Sequence, residues 1–298
     1  MIGAGETFDG TWPFRPHFYD GAGFRMHYVD EGAGDPIVCL HGEPTWGYLY
    51  RRFIPRLAKL GRVIVPDHMG FGKSATPQER EYSIRAHIDN LDSLLGHLKL
   101  ERITLVGQDW GGPIMSGWAL RHPERVQRLC YMNTGVPGRA PAGTRRVQDL
   151  PWYQWAHGPA SEPVLSNLGS TILSVMKRIG FERADHVDET WVRAYASAFP
   201  TPADCKGALQ FPKNIGTPET VAAILEHVAN LPQLAAKPAM YVHGEADRAI
   251  PTELSVGAFR SIWPKGPVVT LPGVGHFIQE DAPETACALI EQFIQMTA

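Results

Sequence analysis

Three polar side chains stand in glycine-rich segments, each of which follows a run of apolar residues. Asp109 lies in GQDWGG, Asp247 in GEAD and His276 in GVGH. Glycines two residues before and two after Asp109 allow the sharp turn between a strand and a helix that exposes a nucleophile above a sheet. The order nucleophile, acid, base along the chain is one that enzymes with such a turn use. The pattern therefore predicts a catalytic triad of Asp109, Asp247 and His276.

A carboxylate in the nucleophile position predicts different chemistry from a serine. A carboxylate is already ionised at pH 7, so it can displace a leaving group from an sp³ carbon without a base. The alternative is an Asp109 that only caps the helix predicted from Pro113 to about Arg121. Three candidates in the right order, each just past a predicted strand, favour the triad over this alternative.

The segment HGEPTW at residues 41–46 follows another apolar run. In folds with a nucleophile turn, one oxyanion-hole N–H comes from a loop in this position and the other from the residue after the nucleophile. We therefore expect the backbone N–H groups of Glu43 and Trp110 to form the oxyanion hole.

The elements that must position these residues alternate between short apolar strands and amphipathic helices, which predicts an α/β fold around a mostly parallel sheet. One helix is predicted from the apolar stripe Ile84 to Leu98 behind an N-cap at Ser83, and a last helix lies behind Pro283. The alternation of strands and helices stops at residues 135–212. We interpret this stretch as a helical cap inserted into a core of residues 1–134 and 213–298. The predicted strands are Arg25–Asp30, Ile37–Leu40, Arg62–Pro66, Ile103–Gly107, Arg128–Asn133, Ala239–Gly244 and Val268–Leu271.

Composition narrows the range of partners. The chain of 298 residues has a net charge of −3 and no block of like charges, so it lacks the electrostatic footprint of a nucleic-acid or membrane-surface binder. Its four cysteines form no CxxC pair and the first residues do not resemble a signal peptide, which predicts reduced thiols and a cytoplasmic location. We expect a small uncharged substrate, no cofactor and no metal; the oligomeric state is not indicated.

Five segments, HGEPTWGYLYRRFIP, PDHMGFGKS, GQDWGGPI, EADRAI and GVGHFIQED, resemble the haloalkane dehalogenases of the α/β-hydrolase superfamily. The resemblance implies the α/β-hydrolase fold and hydrolysis of a halogenated alkane to a primary alcohol and halide. It implies attack by Asp109, hydrolysis of the alkyl ester by water that His276 activates, and support of that histidine by Asp247. It also implies a cis peptide bond between Glu43 and Pro44.

The resemblance further implies that two hydrogen-bond donors hold the departing halide. One is the indole N–H of Trp110. Many relatives use an asparagine directly after HG, but here an ionised Glu43 side chain would repel a halide, so we expect only its backbone to contribute. The second donor is then a cap tryptophan, Trp155 in preference to Trp152, unless neither serves. The positions that line the apolar pocket in the family correspond to Phe211, Pro212, Ile250 and Phe277.

Two other functions remain open at this point. An epoxide hydrolase uses the same aspartate nucleophile but activates its leaving oxygen with cap tyrosines, for which Tyr153 and Tyr195 are available. A non-catalytic binding protein with the same fold is the other alternative, although such a protein would be expected to lack one member of the triad.

Overall fold

A computed structural model describes residues 2–298, and its centre is an eight-stranded sheet in the order β1-β2-β4-β3-β5-β6-β7-β8. The first two strands pair antiparallel to their neighbours, whereas β3 to β8 all run parallel. The predicted mostly parallel sheet is therefore confirmed. The strands are β1 (His17–Tyr19), β2 (Met26–Glu31), β3 (Pro36–Leu40), β4 (Arg62–Pro66), β5 (Ile103–Gln108), β6 (Val126–Met132), β7 (Ala239–Gly244) and β8 (Val268–Leu271).

The central strands are buried on both faces, which is why they read as unbroken apolar runs rather than as an alternation. Every residue of β3, β5 and β7 is buried. β8 forms one edge of the sheet and is only partly covered. All seven predicted strands are present, with ends shifted by at most two residues. β1 was not predicted, because three half-buried residues at the other edge carry no clear pattern.

Helices fill the connections between the parallel strands and cover the sheet, which is how parallel sheets are buried. The Ser83 side chain caps α2 by accepting from the Ala86 N–H at 3.3 Å, as predicted. The helices are α1 (Ile54–Leu57), α2 (Ile84–His97), α3 (Gly111–Arg121), α4 (Pro151–Ala156), α5 (Ser161–Leu165), α6 (Leu168–Ile179), α7 (Glu189–Ala196), α8 (Lys206–Asn214), α9 (Pro218–Ile224), α10 (Leu231–Ala235), α11 (Thr252–Ile262), α12 (Ile278–Asp281) and α13 (Pro283–Met296).

The chain between β6 and β7 contains helices α4 to α10 and no strand. This agrees with the helical character predicted for residues 135–212. The predicted boundary after residue 212 falls inside α8, so the exact division into core and cap stays a prediction. None of the described helices is both long and apolar enough to cross a membrane.

Candidate active site

Asp109 stands at the carboxyl end of β5, directly before α3, with a left-handed φ of +50°. This conformation is uncommon for a residue other than glycine. The turn is tight, because a Cβ on Gly111 would lie 2.2 Å from the Leu40 carbonyl oxygen. The Thr134 hydroxyl donates to the Asp109 carbonyl and so secures the turn from β6. Asp109 does not cap α3, which has no side-chain cap, so the alternative interpretation of Asp109 as a helix cap is wrong.

The Asp109 carboxylate is held from the loop after β3. The Glu43 N–H donates to its Oδ1 at 2.8 Å. A Cβ on Gly42 would come within 2.2 Å of the same oxygen, so only glycine allows this approach. The Glu43–Pro44 peptide bond is cis, as predicted. The structure gives Glu43 the predicted geometry of an oxyanion donor, whereas it shows no bond from the Trp110 N–H to this carboxylate, and that role stays a prediction.

His276 bridges the two aspartates. Its Nε2 lies 3.2 Å from Asp109 Oδ2, and its Nδ1 lies 2.8 Å from Asp247 Oδ2. The imidazole is fully buried, and the Gln108 side chain donates to its backbone carbonyl at 3.1 Å. The sequence prediction that these three residues meet at one edge of the sheet therefore agrees with the structure.

Asp247 is fixed by more donors than the sequence reveals. Its Oδ1 accepts the N–H groups of Ala249 at 2.7 Å and Ile250 at 2.9 Å, and its Oδ2 also accepts the Asn133 amide at 2.8 Å. Asn133 directly follows β6 with a φ of +40°, and its place at a strand end was the only available signal for its role. Asp247 therefore has a fixed orientation toward His276.

The pKa values of His276 and Asp247 depend strongly on the charges of their neighbours in the triad. Burial alone would lower the pKa of His276, but the Asp247 and Asp109 carboxylates together raise it to about 10. Burial likewise opposes ionisation of Asp247, yet His276 and the hydrogen bonds to Asp247 hold its pKa below the ordinary value. The two carboxylates therefore favour the imidazolium form of His276.

Glu43 differs from expectation in its side chain. The residue is buried, its Oε1 has no hydrogen-bond partner, and no cation pairs with it among the described residues. Burial, and then the nearby Asp109 charge, raise its pKa well above the ordinary value. These surroundings oppose the ionised side chain that residue type alone predicts.

A cavity of about 380 Å³ opens from Asp109 and Trp110 between the cap helices and α11. Its wall is mostly apolar, as expected for a small-molecule site. Of the predicted pocket residues, Ile250 lines it. The lining residues are Asp109, Trp110, Pro113, Gly135, Val136, Gly138, Ala140, Val147, Trp152, Ile215, Gly216, Thr220, Val221, Ile224, Ala249, Ile250, Leu254, Ser255 and Ala258.

The other predicted pocket residues lie behind this wall. The Phe211 ring stacks on the Trp110 indole with centroids 4.9 Å apart, and the Phe277 ring meets the His276 ring edge-on at 4.9 Å. Pro212 is buried inside α8. The family pattern identified segments near the site, but it did not indicate which face of each segment points into the cavity.

The two candidate tryptophans of α4 are in different positions. Trp152 is part of the cavity wall together with Trp110, and neither indole N–H donates to any described residue. Trp155, predicted as the second halide donor, lies outside the wall and packs against Trp152 and the Arg178 guanidinium, 4.7 Å from its ring centroid. The geometry therefore favours Trp152, because it lines the cavity that contains Asp109 and Trp155 does not.

Neither cap tyrosine reaches this cavity. The Tyr195 hydroxyl is buried and donates to Glu280, while the Tyr153 ring stacks on His157 with centroids 3.9 Å apart. No tyrosine is part of the cavity wall among residues 2–298. The arrangement required to activate an epoxide oxygen with a tyrosine hydroxyl is thus missing from the described wall.

Known proteins resemble this chain over nearly its whole length. A family model for the alpha/beta hydrolase fold matches residues 35–283. The protein named haloalkane dehalogenase 2 from Mycobacterium tuberculosis is 32% identical over 95% of this chain and 96% of its own length. A protein named cis-3-alkyl-4-alkyloxetan-2-one decarboxylase, from Shewanella oneidensis, is also 32% identical, over 97% of this chain and 91% of its own length.

The same likeness holds for solved structures. The crystal structure of the haloalkane dehalogenase DatA from Agrobacterium tumefaciens C58 superposes with a TM-score of 0.80, at 26% identity, over 95% of this chain and 97% of that one. These matches agree with the sequence resemblance and with the sharp strand-to-helix turn that carries Asp109. All three indicate the same family. The chain belongs to the haloalkane dehalogenase family of the α/β-hydrolase fold.

Proposed function

We propose that this protein hydrolyses haloalkanes to an alcohol and a halide ion. The main support for this proposal is the position of the Asp109 carboxylate. Asp109 sits between an oxyanion-type N–H donor and a buried His276–Asp247 pair, and it faces an apolar cavity. An uncharged alkyl substrate fits that cavity, and a carboxylate is the nucleophile suited to an sp³ carbon.

In the first step one Asp109 oxygen attacks the carbon that bears the halogen. The C–O bond forms as the C–halogen bond breaks, and the halide leaves with the bonding electrons. Oδ1 already accepts the Glu43 N–H, so it is suited to become the ester carbonyl oxygen, which leaves Oδ2 as the attacking atom. The free indole N–H groups of Trp110 and Trp152 are suited to bind the halide, because an indole N–H is a donor that cannot accept.

In the second step water attacks the ester carbonyl carbon. Once the ester has made Asp109 neutral, His276 releases its proton to solvent and can act as a base. It then takes one water proton, Asp247 stabilises the imidazolium, and that proton passes to the departing alcohol oxygen. The Glu43 N–H stabilises the oxyanion on Oδ1, a contribution on the order of 3 kcal/mol for one donor. The alcohol leaves, and the carboxylic acid left on Asp109 passes the second proton of the water to His276, 3.2 Å away, which restores the carboxylate.

A second candidate is decarboxylation of a cis-3-alkyl-4-alkyloxetan-2-one. It is favoured by one observation, the 32% identity to the Shewanella oneidensis decarboxylase over nearly the whole chain. Epoxide hydrolysis is favoured less, since the cavity wall contains no tyrosine among the described residues.

The deciding experiment offers three substrates to the purified protein: 1,2-dibromoethane, styrene oxide and a cis-3-alkyl-4-alkyloxetan-2-one. Bromide release without diol or carbon dioxide supports the proposal, whereas diol or carbon dioxide as the main product overturns it in favour of the corresponding alternative.

Trapping the intermediate tests the mechanism. With 1,2-dibromoethane, His276→Ala should accumulate an alkyl ester that is visible as an increase in intact mass. The matched variant Asp109→Asn should gain no mass. If neither variant nor the wild type forms an adduct while bromide is released, attack by Asp109 is wrong. If no bromide is released either, the non-catalytic alternative is favoured.

A further inference from the structure

Another buried aspartate, Asp281, lies between the base loop, residues 272–277, which carries His276, and the cap. Its Oδ2 accepts the Gly275 N–H at 2.7 Å, one residue before His276. Its Oδ1 accepts the Arg183 N–H at 2.9 Å, and the Glu182 N–H approaches both oxygens at 3.1 and 3.2 Å. One carboxylate therefore joins the base loop to residues 182–183, which follow α6.

The residue after the base is tied to the same stretch of the cap. The Phe277 N–H donates to the Gly180 carbonyl at 3.2 Å. Gly180 has a φ of +141°, and a Cβ there would lie 2.9 Å from the His276 nitrogen. A Cβ on Gly275 would in turn lie 2.4 Å from the Gly180 oxygen. Both neighbours of His276 are thus in contact with one turn of the cap, residues 180–183.

The charge of Asp281 is compensated by backbone donors rather than by a cation. The residue is 1% exposed, and the nearby Arg183 guanidinium donates to its backbone carbonyl and not to its carboxylate. A buried carboxylate is costly unless its hydrogen bonds are well made. Here three N–H groups from two separate parts of the chain converge on it, which fixes the position of each part relative to the other.

We propose that Asp281 is a positioning residue, which ties the loop of His276 to cap residues 180–183 and so holds the imidazole where it activates water. The inference rests on the proposed function, because it assigns Asp281 to the second chemical step. Attack by Asp109 does not depend on this tie. The turn that carries Asp109 is held separately, because the Thr134 hydroxyl donates to the Asp109 carbonyl and the Glu43 N–H donates to the Asp109 carboxylate.

The test separates the two steps of the reaction in Asp281→Asn. This variant keeps the size of the side chain but turns an amide NH₂ toward N–H donors. With 1,2-dibromoethane, rapid quench gives the rate of the bromide burst, and intact mass gives the decay of the ester. We expect ester decay to slow by about 10- to 100-fold, since a displacement of about 1 Å costs up to 100-fold. The burst rate should stay within about twofold, so the adduct accumulates at steady state.

A second variant approaches the same contact from the cap. Gly180→Ala places a methyl group against the His276 backbone, and it should also slow ester decay more than the burst. Two controls define the effect. Asp185→Asn alters a side chain in the same cap region that is 83% exposed, and Tyr195→Phe removes a hydrogen bond between cap and core that does not touch the base loop.

Four outcomes would overturn the inference. Equal slowing of both steps would mean general damage to the site, and equal adduct accumulation in Tyr195→Phe would mean that any loosening of the cap suffices. Unchanged ester decay in a folded Asp281→Asn would remove the role outright. If that variant does not fold, unchanged decay in Gly180→Ala removes the role in the same way. Failure of the proposed function looks different, because His276→Ala then traps no adduct at all.

Discussion

Replacing Asp109 with asparagine should lower the pKa of His276. The raised pKa of about 10, against an ordinary 6.5, corresponds to a net preference for the imidazolium of about 5 kcal/mol at 1.36 kcal/mol per pH unit. Asparagine keeps the shape of the residue and an oxygen for the Glu43 N–H, but it removes one of the two charges that hold the imidazolium. It therefore resembles the alkyl ester, in which Asp109 is also neutral.

The size of the effect follows from the geometry. A unit charge 3.2 Å from Nε2 interacts with it by at most about 5 kcal/mol at an effective dielectric constant of about 20. Solvent weakens this value because the Asp109 side chain is 17% exposed. We expect the pKa of His276 to fall by roughly one to three units in Asp109→Asn. Asp247→Asn is the matched control, and it should lower the pKa further because Asp247 makes the largest favourable contribution.

The assay is a titration of the imidazole ¹⁵N resonances by nuclear magnetic resonance in the wild type and both variants. A pKa that stays at the wild-type value in Asp109→Asn would refute the reasoning. The functional consequence has a definite sign. Alkylation discharges Asp109, so His276 loses its proton more easily in the ester than in the resting enzyme, and the ester should decay faster as the pH rises through the lowered pKa.

The remaining predictions concern the halide, the elbow and stability. Trp152→Phe should weaken bromide inhibition about 10- to 100-fold, because one hydrogen bond to an ion is worth about 1.5–3 kcal/mol, while Trp155→Phe should leave it unchanged; equal effects would contradict the assignment. Gly42→Ala should abolish bromide release without loss of the far-ultraviolet circular dichroism spectrum, since its Cβ would lie 2.2 Å from Asp109 Oδ1. Glu280→Gln should lower the free energy of unfolding in urea by about 3–5 kcal/mol, the usual cost of breaking a buried ion pair. Burial would raise the pKa of Glu280, but the Arg51 guanidinium, together with hydrogen bonds from His186 and Tyr195, lowers it to about 2. Its contribution should therefore be complete above pH 4.5 and disappear as the pH falls toward 2.

The triad could be predicted from the sequence because strand ends carry positional information. Parallel strands end at one edge of a sheet, so Asp109 after β5, Asp247 after β7 and His276 after β8 must come near one another once the strands are recognised. The glycines around Asp109 and His276 mark turns that only glycine fits. Local sequence patterns were therefore sufficient to predict the sheet and the three residues that meet at its edge.

The rest depends on features that a single sequence does not encode locally. Trp152 and Trp155 share one turn of α4, and which of them faces the cavity depends on how the short cap helices pack on the core. Asp281 resembles an ordinary helix residue in the sequence, because its partners at residues 182–183 are about 100 positions away. The cap donors to the Asp281 carboxylate are the backbone N–H groups of residues 182 and 183. Almost every residue type has such a group, so the sequence at these positions does not indicate the contact.

Three carboxyl groups in this site illustrate how surroundings, rather than residue type, assign a role. Glu43 is buried with no hydrogen-bond partner at Oε1, and burial together with the Asp109 charge raises its pKa well above the ordinary value, which opposes a second negative charge in the site. The Asp247 side chain is also buried, but His276 and three further donors keep its pKa low and its orientation fixed. Asp109 remains partly open to the cavity, with one oxygen held and the other facing His276. A site that must first use a carboxylate as a nucleophile and then hydrolyse its ester needs this division, because the same charge that attacks carbon would otherwise keep the base protonated.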